Sequence, residues 1–268
     1  MKLTVTIAQM NVVTSQPAVN FEKASEWVEE AARRGSDLIC FPEMWTTGFN
    51  WKKNREIARD HEVYIEKVAN LARQNRIWIN GSMLALNEEG DMTNCSILFD
   101  SQGNKAGIYR KTHLFSYIGE DKHMAPGQHL TTIDTSWGRM GLSVCYDIRF
   151  PELFRTYALK GVKVQLSPMA FPYPRLDHWR ILARARAIEN QMYLIGINQV
   201  GSEEFEGFGT ATYFGSSIII DPWGKTVVEG GEDEEMLLTA TIDVDMVDKI
   251  RNKMHVLEDR RPDLYDLG

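Results

Sequence analysis

Short segments in which apolar and polar residues alternate, or in which apolar residues run together, are typical of β-strands and recur along this chain. The first covers residues 3–12, and a buried-type run at 37–41 leads directly into Pro42 and Glu43. Further strands are predicted at 77–80, 83–86, 96–99, 106–109, 131–135, 140–144, 162–166, 193–197 and 237–242. Polar turns at 100–104, 136–139 and 221–224 predict hairpins.

Apolar residues at helical spacing separate the strands near both ends of the chain. Phe21, Ala24 and Val28 predict a first helix, and similar patterns predict helices at 64–72 and, through Ile181, Ala185 and Ile188, after the strand 162–166. A proline-first, glycine-last arrangement predicts another helix at 151–161. Helices outside a mixed sheet, or outside two packed sheets, would satisfy this pattern. We expect one α/β domain over residues 1–268, since no repeat or low-complexity linker divides the chain.

Composition and charge narrow the classes of protein that fit this pattern. The 268 residues are 43% hydrophobic and 25% charged, a balance that allows a sizeable globular core. A net charge of -7 without a long Lys/Arg run argues against a nucleic-acid partner. No apolar run approaches the roughly 18 residues of a membrane span, and no export signal is visible. We therefore expect a cytoplasmic protein with no membrane partner.

The cysteines and histidines do not form a recognisable metal or disulfide pattern. Cys40, Cys95 and Cys145 are widely spaced without a C-x-x-C pair, so reduced thiols are expected. The histidines form no H-E-x-x-H motif and no Cys/His cluster with zinc spacing, so we expect no metal site. Cys40 and Cys95 lie inside predicted strands and are interpreted as core residues.

Cys145 is the first candidate for chemistry because it follows the strand 140–144 and precedes the helix that is predicted to begin at Pro151. Free backbone N–H groups at such a strand-turn-helix junction stabilise a thiolate or an oxyanion. Free cysteines are commonly buried, however, so a structural core cysteine is the alternative for Cys145 taken singly.

Two charged residues at the ends of predicted strands are the next candidates. Glu43 ends an apolar strand, where a partly desolvated carboxylate can exchange protons near neutral pH. Lys111 follows the strand 106–109, where a cation can hold an oxyanion. Each also fits a surface role, as a solvated loop glutamate or a snorkelling lysine. His113 or His178 could partner Cys145 as in a Cys-His protease, but no local protease signature surrounds either.

Three motifs occur in order: FPE at 41–43, YRKTHLF at 109–115 and CYDIRFPE at 145–152. In residue type, order and spacing, this set resembles the nitrilase or carbon-nitrogen hydrolase superfamily. The likeness extends through 183–191 and 221–224 to 261–265, and so covers nearly the whole chain. It implies a four-layer α-β-β-α sandwich. It also implies a homodimer or higher homo-oligomer, in which the tail 243–268 is a candidate for the subunit interface.

The resemblance also implies a Glu-Lys-Cys triad that works without a cofactor. By position, Glu43 is the general base, Lys111 the transition-state cation and Cys145 the nucleophile. Glu120 occupies the place of a second family glutamate, where it would orient Lys111 or share the proton traffic. The backbone N–H of Tyr146 is the expected second donor to the oxyanion.

The residues after the nucleophile bear on the substrate. True nitrilases usually continue with Trp-Glu, whereas Tyr146 and Asp147 follow here, which favours an amide. The form of the 145–152 motif, together with His178 and its neighbouring tryptophan, looks like the ω-amidase branch. That branch hydrolyses the terminal amide of short dicarboxylates such as 2-oxoglutaramate or succinamate. A substrate carboxylate needs a donor-rich partner, and Arg175, His178 and the nearby Phe171 are candidates that also fit structural roles.

Two other hypotheses remain open from the sequence. The same triad could act on N-carbamoyl amides or on a nitrile, or the chain could be a non-catalytic dimeric binding protein. The segments 45–59 and 202–209 are expected to be loops that shape the pocket. Pocket size depends on their conformations.

Overall fold

The computed structural model describes residues 1–265. In chain order its strands are β1 (Lys2–Gln9), β2 (Leu38–Cys40), β3 (Trp78–Leu86), β4 (Met92–Phe99), β5 (Lys105–Arg110), β6 (Thr132–Thr135), β7 (Gly138–Leu142), β8 (Val164–Pro168), β9 (Tyr193–Ile197), β10 (Val200–Phe205), β11 (Gly209–Phe214), β12 (Ile218–Ile220), β13 (Thr226–Glu229) and β14 (Met236–Asp243). Its α-helices are α1 (Pro17–Arg33), α2 (Trp51–Ile57), α3 (His61–Asn75), α4 (Pro151–Leu159), α5 (Leu176–Asn190) and α6 (Asp245–Arg251). Short 3-10 helices are Ala58–Asp60, Ser116–Ile118, Glu120–Lys122, Cys145–Arg149 and Pro262–Leu264.

Two mixed sheets form the centre of the molecule. The first has the strand order β14-β1-β2-β3-β4-β5, and the second has the order β13-β12-β9-β8-β7-β6. The inner strands β1, β2 and β3 run parallel, as do β7, β8 and β9, and each outer strand pairs antiparallel with its neighbour. Parallel neighbours need a crossover connection. The helices α1, α3, α4 and α5 supply those crossovers, and hairpins join β3 to β4, β4 to β5, β6 to β7 and β12 to β13, whereas β1–β14 and β9–β12 pair strands that are not consecutive.

Side-chain alternation along the strands explains how the sheets and helices are layered. In β2, Leu38 and Cys40 belong to the apolar cluster that both sheets share, whereas Ile39 and the following Phe41 belong to the cluster under α1 and α3. Successive side chains of a strand point to opposite faces, so one strand serves both layers. The helices α4 and α5 cover the outer face of the second sheet. The predicted four-layer α-β-β-α sandwich is therefore confirmed.

The edge at which the inner parallel strands end positions the candidate site. Glu43 follows β2 in the first sheet, and Cys145 follows β7 in the second. The Glu43 N–H donates to the carbonyl of Met169, just beyond β8, over 3.1 Å. This bond ties the two sheets together at the point where the candidate residues meet. Ligands of α/β sheets commonly bind at such carboxyl ends.

Two segments that were expected to be loops have regular structure. The segment 202–209 forms most of β10 and the turn to β11, a two-stranded sheet of its own. Glu203 and Phe205 of β10 are buried, so packing of alternate side chains stabilises a strand whose glutamates suggested a loop. The segment 45–59 contains α2, which Asn50 caps by accepting a hydrogen bond from the Lys53 N–H.

The helix α5 forms as predicted, but its apolar spacing identified the wrong face. Ile181 is 66% exposed and Ile188 is 44% exposed, whereas Trp179 and Ala183 are fully buried. The buried face also carries Arg186, whose guanidinium donates to the carbonyl of Ile148 over 2.8 Å. None of the described helices has the length and apolarity of a membrane span.

Candidate active site

Cys145 begins a sharp turn at the end of the second sheet. It follows the extended Val144 and has φ +45°, a left-handed conformation that is rare for residues other than glycine. Asp147 holds the turn, because its Oδ2 accepts the Val144 N–H and the Tyr109 hydroxyl, both over 2.8 Å. Cys145 lines a cavity and is intermediate in exposure, whereas Cys40 and Cys95 are fully buried. The core-cysteine alternative is not what the structure shows.

Glu43 and Lys111 meet in the interior beside Cys145. Lys111 Nζ donates to Glu43 Oε1 over 2.8 Å, and the two side chains are 2% and 1% exposed respectively. Cys145 and Glu43 line the same cavity, and burial together with the Glu43 charge raises the pKa of the Cys145 thiol, so the two groups lie close together. The solvated glutamate and the snorkelling lysine, which were the alternatives for these residues, are therefore excluded by burial. The Lys111 ammonium group lies between two carboxylates, of which Glu43 is the first.

Glu120 is the second carboxylate on Lys111. Lys111 Nζ donates to its Oε1 over 3.0 Å and to its Oε2 over 2.8 Å. The Phe115 N–H also donates to Glu120 Oε2, over 2.7 Å, and fixes the carboxylate from the backbone side. Glu120 is fully buried, whereas its neighbour Asp121 is exposed. The structure thus brings Glu43, Lys111, Glu120 and Cys145 together.

Asn94 is a member of this cluster that sequence reasoning missed. Its amide Nδ2 donates to Glu43 Oε1 over 2.8 Å and to Glu120 Oε1 over 3.2 Å. The signal available in the sequence was the one amide of a stretch that is buried throughout, where a polar group requires partners.

Burial and neighbouring charge set the protonation of the cluster. Burial raises the pKa of Glu43 above its ordinary range, and the Lys111 cation opposes this. Burial disfavours the charged form of Lys111, but Glu120 and Glu43 outweigh it and raise its pKa well above the usual value. Burial and then Glu43 raise the pKa of the Cys145 thiol, which Lys111 and the Ala170 N–H partly offset. The resting site therefore combines a protonated thiol, an ammonium group and an adjacent carboxylate able to take the thiol proton.

The expected oxyanion donor, the Tyr146 backbone N–H, lies in the first turn of the 3-10 helix Cys145–Arg149. N–H groups in the first turn of a helix have no partner within that helix. Ala170, just beyond β8, lines the same small cavity as Cys145 and Tyr146. Residues that follow two neighbouring strands of the second sheet therefore meet around Cys145.

A cavity of about 210 Å³ opens above the cluster, with Glu43, Lys111 and Cys145 at its base. The aromatic residues that line it are Phe49, Phe115, Tyr117, Tyr173, Phe205, Phe208 and Tyr213. Drug-sized ligands occupy clefts of about 300–1,000 Å³, so this cavity suits a smaller molecule. Phe205 and Phe208 come from the β10–β11 hairpin, and the segment 202–209 does shape the pocket, although as a hairpin.

A second, smaller cavity of about 30 Å³ adjoins the first on the other side of Cys145. Arg149 and Arg175 both line it, and Arg175 also lines the larger cavity. The Arg149 guanidinium lies 5.4 Å from the centre of the Phe171 ring, and that of Arg175 lies 5.9 Å from the Phe115 ring. Sequence reasoning missed Arg149 as a pocket residue, although it stands inside the 145–152 motif.

The remaining candidates for substrate contact have different positions. Phe171 is buried and lines the small cavity beside Cys145. His178 is exposed, and Arg149 donates to its Nδ1 over 3.5 Å. In the described part of the chain, His178 lines neither cavity, so it reaches the site only through Arg149. Within residues 1–265, no group of His, Cys, Asp and Glu side chains is placed to hold a metal ion.

Comparison with protein families and with individual proteins gives matches over nearly the full chain. The family model described as carbon-nitrogen hydrolase matches residues 4–252. A 2-oxoglutaramate amidase of Bacillus subtilis is 33% identical over 99% of this chain and 100% of its own length. An omega-amidase of Saccharomyces cerevisiae is 30% identical over 98% of this chain and 95% of its own length.

Solved structures show the same fold. A crystal structure of a carbon-nitrogen hydrolase from Helicobacter pylori has a TM-score of 0.92 at 26% identity, covering 99% of this chain and 97% of that one. The crystal structure of Saccharomyces cerevisiae Nit3, a member of branch 10 of the nitrilase superfamily, has a TM-score of 0.85 at 28% identity, covering 97% of each chain.

Proposed function

This chain belongs to the carbon-nitrogen hydrolase family, and we propose that it is an ω-amidase that hydrolyses the terminal amide of short dicarboxylate monoamides such as 2-oxoglutaramate or succinamate. It is an amidase of the cysteine-dependent kind. The observation that carries the proposal is the pair of arginines, Arg149 and Arg175, beside Cys145 in a small pocket. The relatives named as 2-oxoglutaramate amidase and omega-amidase support the same substrate class.

The proposed chemistry begins with Glu43, which takes the proton of the Cys145 thiol as the sulfur attacks the amide carbonyl carbon. A C–S bond forms, and the carbonyl oxygen becomes an oxyanion. Lys111 and the Tyr146 N–H stabilise that oxyanion. Once Glu43 has accepted the proton, its attraction to Lys111 weakens. The ammonium group then has its charge available for the developing oxyanion.

The second half of the proposed reaction returns the enzyme to its starting state. Glu43 gives its proton to the leaving nitrogen, the C–N bond breaks, and ammonia departs from a thioester on Cys145. Glu43 then removes a proton from a water molecule that attacks the thioester. The C–S bond breaks, the free acid leaves, and the proton returns to the sulfur. Glu120 keeps Lys111 charged and in place throughout.

The two arginines supply what a dicarboxylate monoamide needs at its other end. A guanidinium group binds a carboxylate through paired, charge-assisted hydrogen bonds. Arg149 stacks against Phe171 and Arg175 against Phe115, so both cations are pre-positioned by aromatic rings. Since both line the cavity that contains Cys145, a short chain between amide and carboxylate fits best.

The substrate proposal is tested by ammonia release from succinamate, 2-oxoglutaramate, butyramide, an N-carbamoyl amino acid and a nitrile, with Cys145→Ala as the blank. We expect Cys145-dependent turnover to be fastest with the dicarboxylate monoamides. In Arg149→Met, kcat/KM for succinamate should fall by about 10- to 100-fold. Butyramide, which lacks the carboxylate, should be affected much less.

Arg139→Met is the matched control, because Arg139 pairs with Asp134 at the surface and lies outside both cavities as the described residues line them. Turnover confined to the N-carbamoyl compound or the nitrile would discard the substrate class and keep the triad. If kcat/KM falls equally for succinamate and butyramide in Arg149→Met, Arg149 does not bind the substrate carboxylate. If the wild-type protein turns over none of these compounds, the result would favour the binding-protein alternative.

We also propose that the protein is a cytoplasmic homodimer. Three free thiols suit a reducing compartment. Exposed Ile181 and Ile188 on α5, with Trp223 48% exposed nearby, form an apolar face that a second subunit would cover. The tail 243–268 remains a candidate for the interface, and residues 266–268 lie outside the described residues. Sedimentation should give a mass of about twice 30.7 kDa, and a monomer mass would refute the dimer.

A further inference from the structure

Asn94 is a buried amide whose contacts are not explained by the sandwich alone. It lies in β4 opposite Leu84 of β3, and it is 1% exposed. Its backbone carbonyl accepts the Lys111 N–H over 2.8 Å, so the residue lies directly beside the lysine in the sheet. Its side chain then reaches the two carboxylates that flank the Lys111 ammonium group.

A chain of hydrogen bonds fixes which end of the Asn94 amide faces the carboxylates. Asn94 Oδ1 accepts the Ser82 hydroxyl over 2.5 Å, and Ser82 Oγ accepts the Met44 N–H over 3.0 Å. The oxygen end of the amide is therefore occupied, and its NH₂ end points to Glu43 and Glu120. Met44 follows Glu43 in the chain, so the same relay also anchors the segment that carries the base.

The charges of the cluster explain why a neutral donor is useful there. Two carboxylates and one ammonium group leave one negative charge in excess when all are ionised. A second cation would offset that charge but would also draw the oxyanion away from Lys111. An amide N–H offsets part of it and remains neutral throughout the reaction. Lys111 Nζ and Asn94 Nδ2 both donate to the same oxygen of Glu43, Oε1, which fixes the orientation of that carboxylate towards the thiol.

We propose that Asn94 is a positioning residue for amide hydrolysis: its amide holds Glu43 and Glu120 on either side of Lys111 and favours the ionised Glu43 that accepts the Cys145 proton. The inference rests on the roles proposed above for Glu43 and Lys111. It does not depend on which amide is the substrate. Burial raises the pKa of Glu43, and a donor to its carboxylate acts in the opposite direction.

The test compares Asn94→Ala with Asn80→Ala. Asn80 is equally buried in the same sheet, but its Nδ2 donates to Ser96 Oγ and to the Ile97 carbonyl. In Asn94→Ala, kcat should fall by about 10- to 100-fold, the factor expected for a hydrogen bond to a charged group. The acid limb of the kcat/KM profile should move to higher pH, because Glu43 loses a donor to its ionised form. Asn80→Ala should keep the limb where it is.

A second readout does not need a substrate. The rate of Cys145 alkylation by iodoacetamide, measured against pH, reports proton transfer from the thiol to Glu43. We expect the acid limb of this profile to shift upward in Asn94→Ala in parallel with the kcat/KM limb. If no compound is turned over by the wild type but the alkylation limb still shifts, the substrate proposal fails and the role of Asn94 stands.

Ser82→Ala keeps the test decisive if Asn94→Ala does not fold. It leaves the Asn94 donors in place but removes the hydroxyl that fixes Oδ1, so a smaller shift in the same direction is expected. The proposal is overturned if both limbs keep their wild-type midpoints in a folded Asn94→Ala or, failing that, in Ser82→Ala. It is equally overturned if Asn80→Ala reproduces the shift, because the effect would then be general loosening of the sheet.

Discussion

Two buried carboxylate centres lie next to each other in the active site, and different partners stabilise their charge. Glu43 and Glu120 share the Lys111 ammonium group, with salt-bridge distances of 2.8 Å on each side. Asp147 accepts hydrogen bonds mainly from neutral groups: the Val144 N–H and the Tyr109 hydroxyl, each over 2.8 Å. Both centres exclude solvent, so burial alone does not make a carboxylate reactive.

The partners explain what each centre can do. Protonation of Glu43 weakens its attraction to the Lys111 ammonium group. The protonation of Glu43 is therefore coupled to Lys111 and Cys145. The donors of Asp147 come from two chain segments: Val144 precedes Cys145, while Tyr109 and His113 bracket Lys111. Asp147 thus holds the nucleophile turn against the lysine segment. In the proposed mechanism, the first centre transfers the proton and the second maintains the geometry of the turn.

Glu43→Gln is expected to show the largest difference between the two centres, because activity should fall while stability does not. The amide keeps the volume but cannot accept the Cys145 proton, so kcat should fall by about 10²- to 10⁴-fold. Thermal unfolding should show no loss of stability, because the substitution removes a buried negative charge while Glu120 still neutralises Lys111. Amide turnover and Tm are measured on the same preparation. Asp121→Asn, an exposed neighbour of the cluster, is the control and should be unaffected.

Asp147→Asn should give the opposite balance. The substitution replaces one carboxylate oxygen with an NH₂ group, which cannot accept a hydrogen bond. That group would face either the Val144 N–H and the Tyr109 hydroxyl or the His113 Nδ1. We expect the free energy of unfolding to fall by about 1–3 kcal/mol. The loss in kcat should be smaller than in Glu43→Gln. Urea unfolding checks the first value and ammonia release the second. If Asp147→Asn is stable but loses as much turnover as Glu43→Gln, then Asp147 takes part in the chemistry and the two centres do not differ in role.

The smallest expected effect concerns pH. Burial raises the folded-state pKa of Glu43 above its ordinary value of 4.5. Its stability contribution is therefore present below the unfolded pKa and lost as pH rises through the folded pKa. Since Glu43→Gln lacks this loss, the stability of the variant relative to wild type should increase with pH across that window. Chemical unfolding at several pH values measures the difference, and a constant difference would contradict the raised pKa.

Activity should follow pH in the reverse sense. Glu43 must be ionised to accept the thiol proton, so kcat/KM should fall as pH is lowered through a midpoint above 4.5. Asp147→Asn should lower the plateau and leave this midpoint in place. A midpoint that moved with Asp147 would mean that the two carboxylates titrate as one group.

The sequence located the reacting groups better than their supports. Cys145 and Glu43 were predicted from their places at strand ends, and the structure brings them together. Asn94 and Arg149 were missed as site residues because their place in the site depends on contacts with segments that are distant in the sequence. Asn94 is 51 residues from Glu43, and the hydrogen bond between them exists only because β4 lies beside β3 in the first sheet. For the same reason, sequence spacing alone could not show that Glu120 is buried and that its neighbour Asp121 is exposed.

The sequence by itself determined most of the strands and helices in order, though not α2, β10 and β11, together with the family motifs and the residue types available for a cysteine hydrolase, because alternation, helical spacing and turn residues act over short distances. The tertiary structure decided which of those residues form the charged cluster around Lys111, which ones only hold the backbone in place, and how large the pocket is. Lys111 and Glu43 are 68 residues apart and lie on different segments. They meet because β2 and β5, the strands that precede them, belong to the same sheet. The burial that alters their pKa values arises only when that sheet has packed in the folded protein.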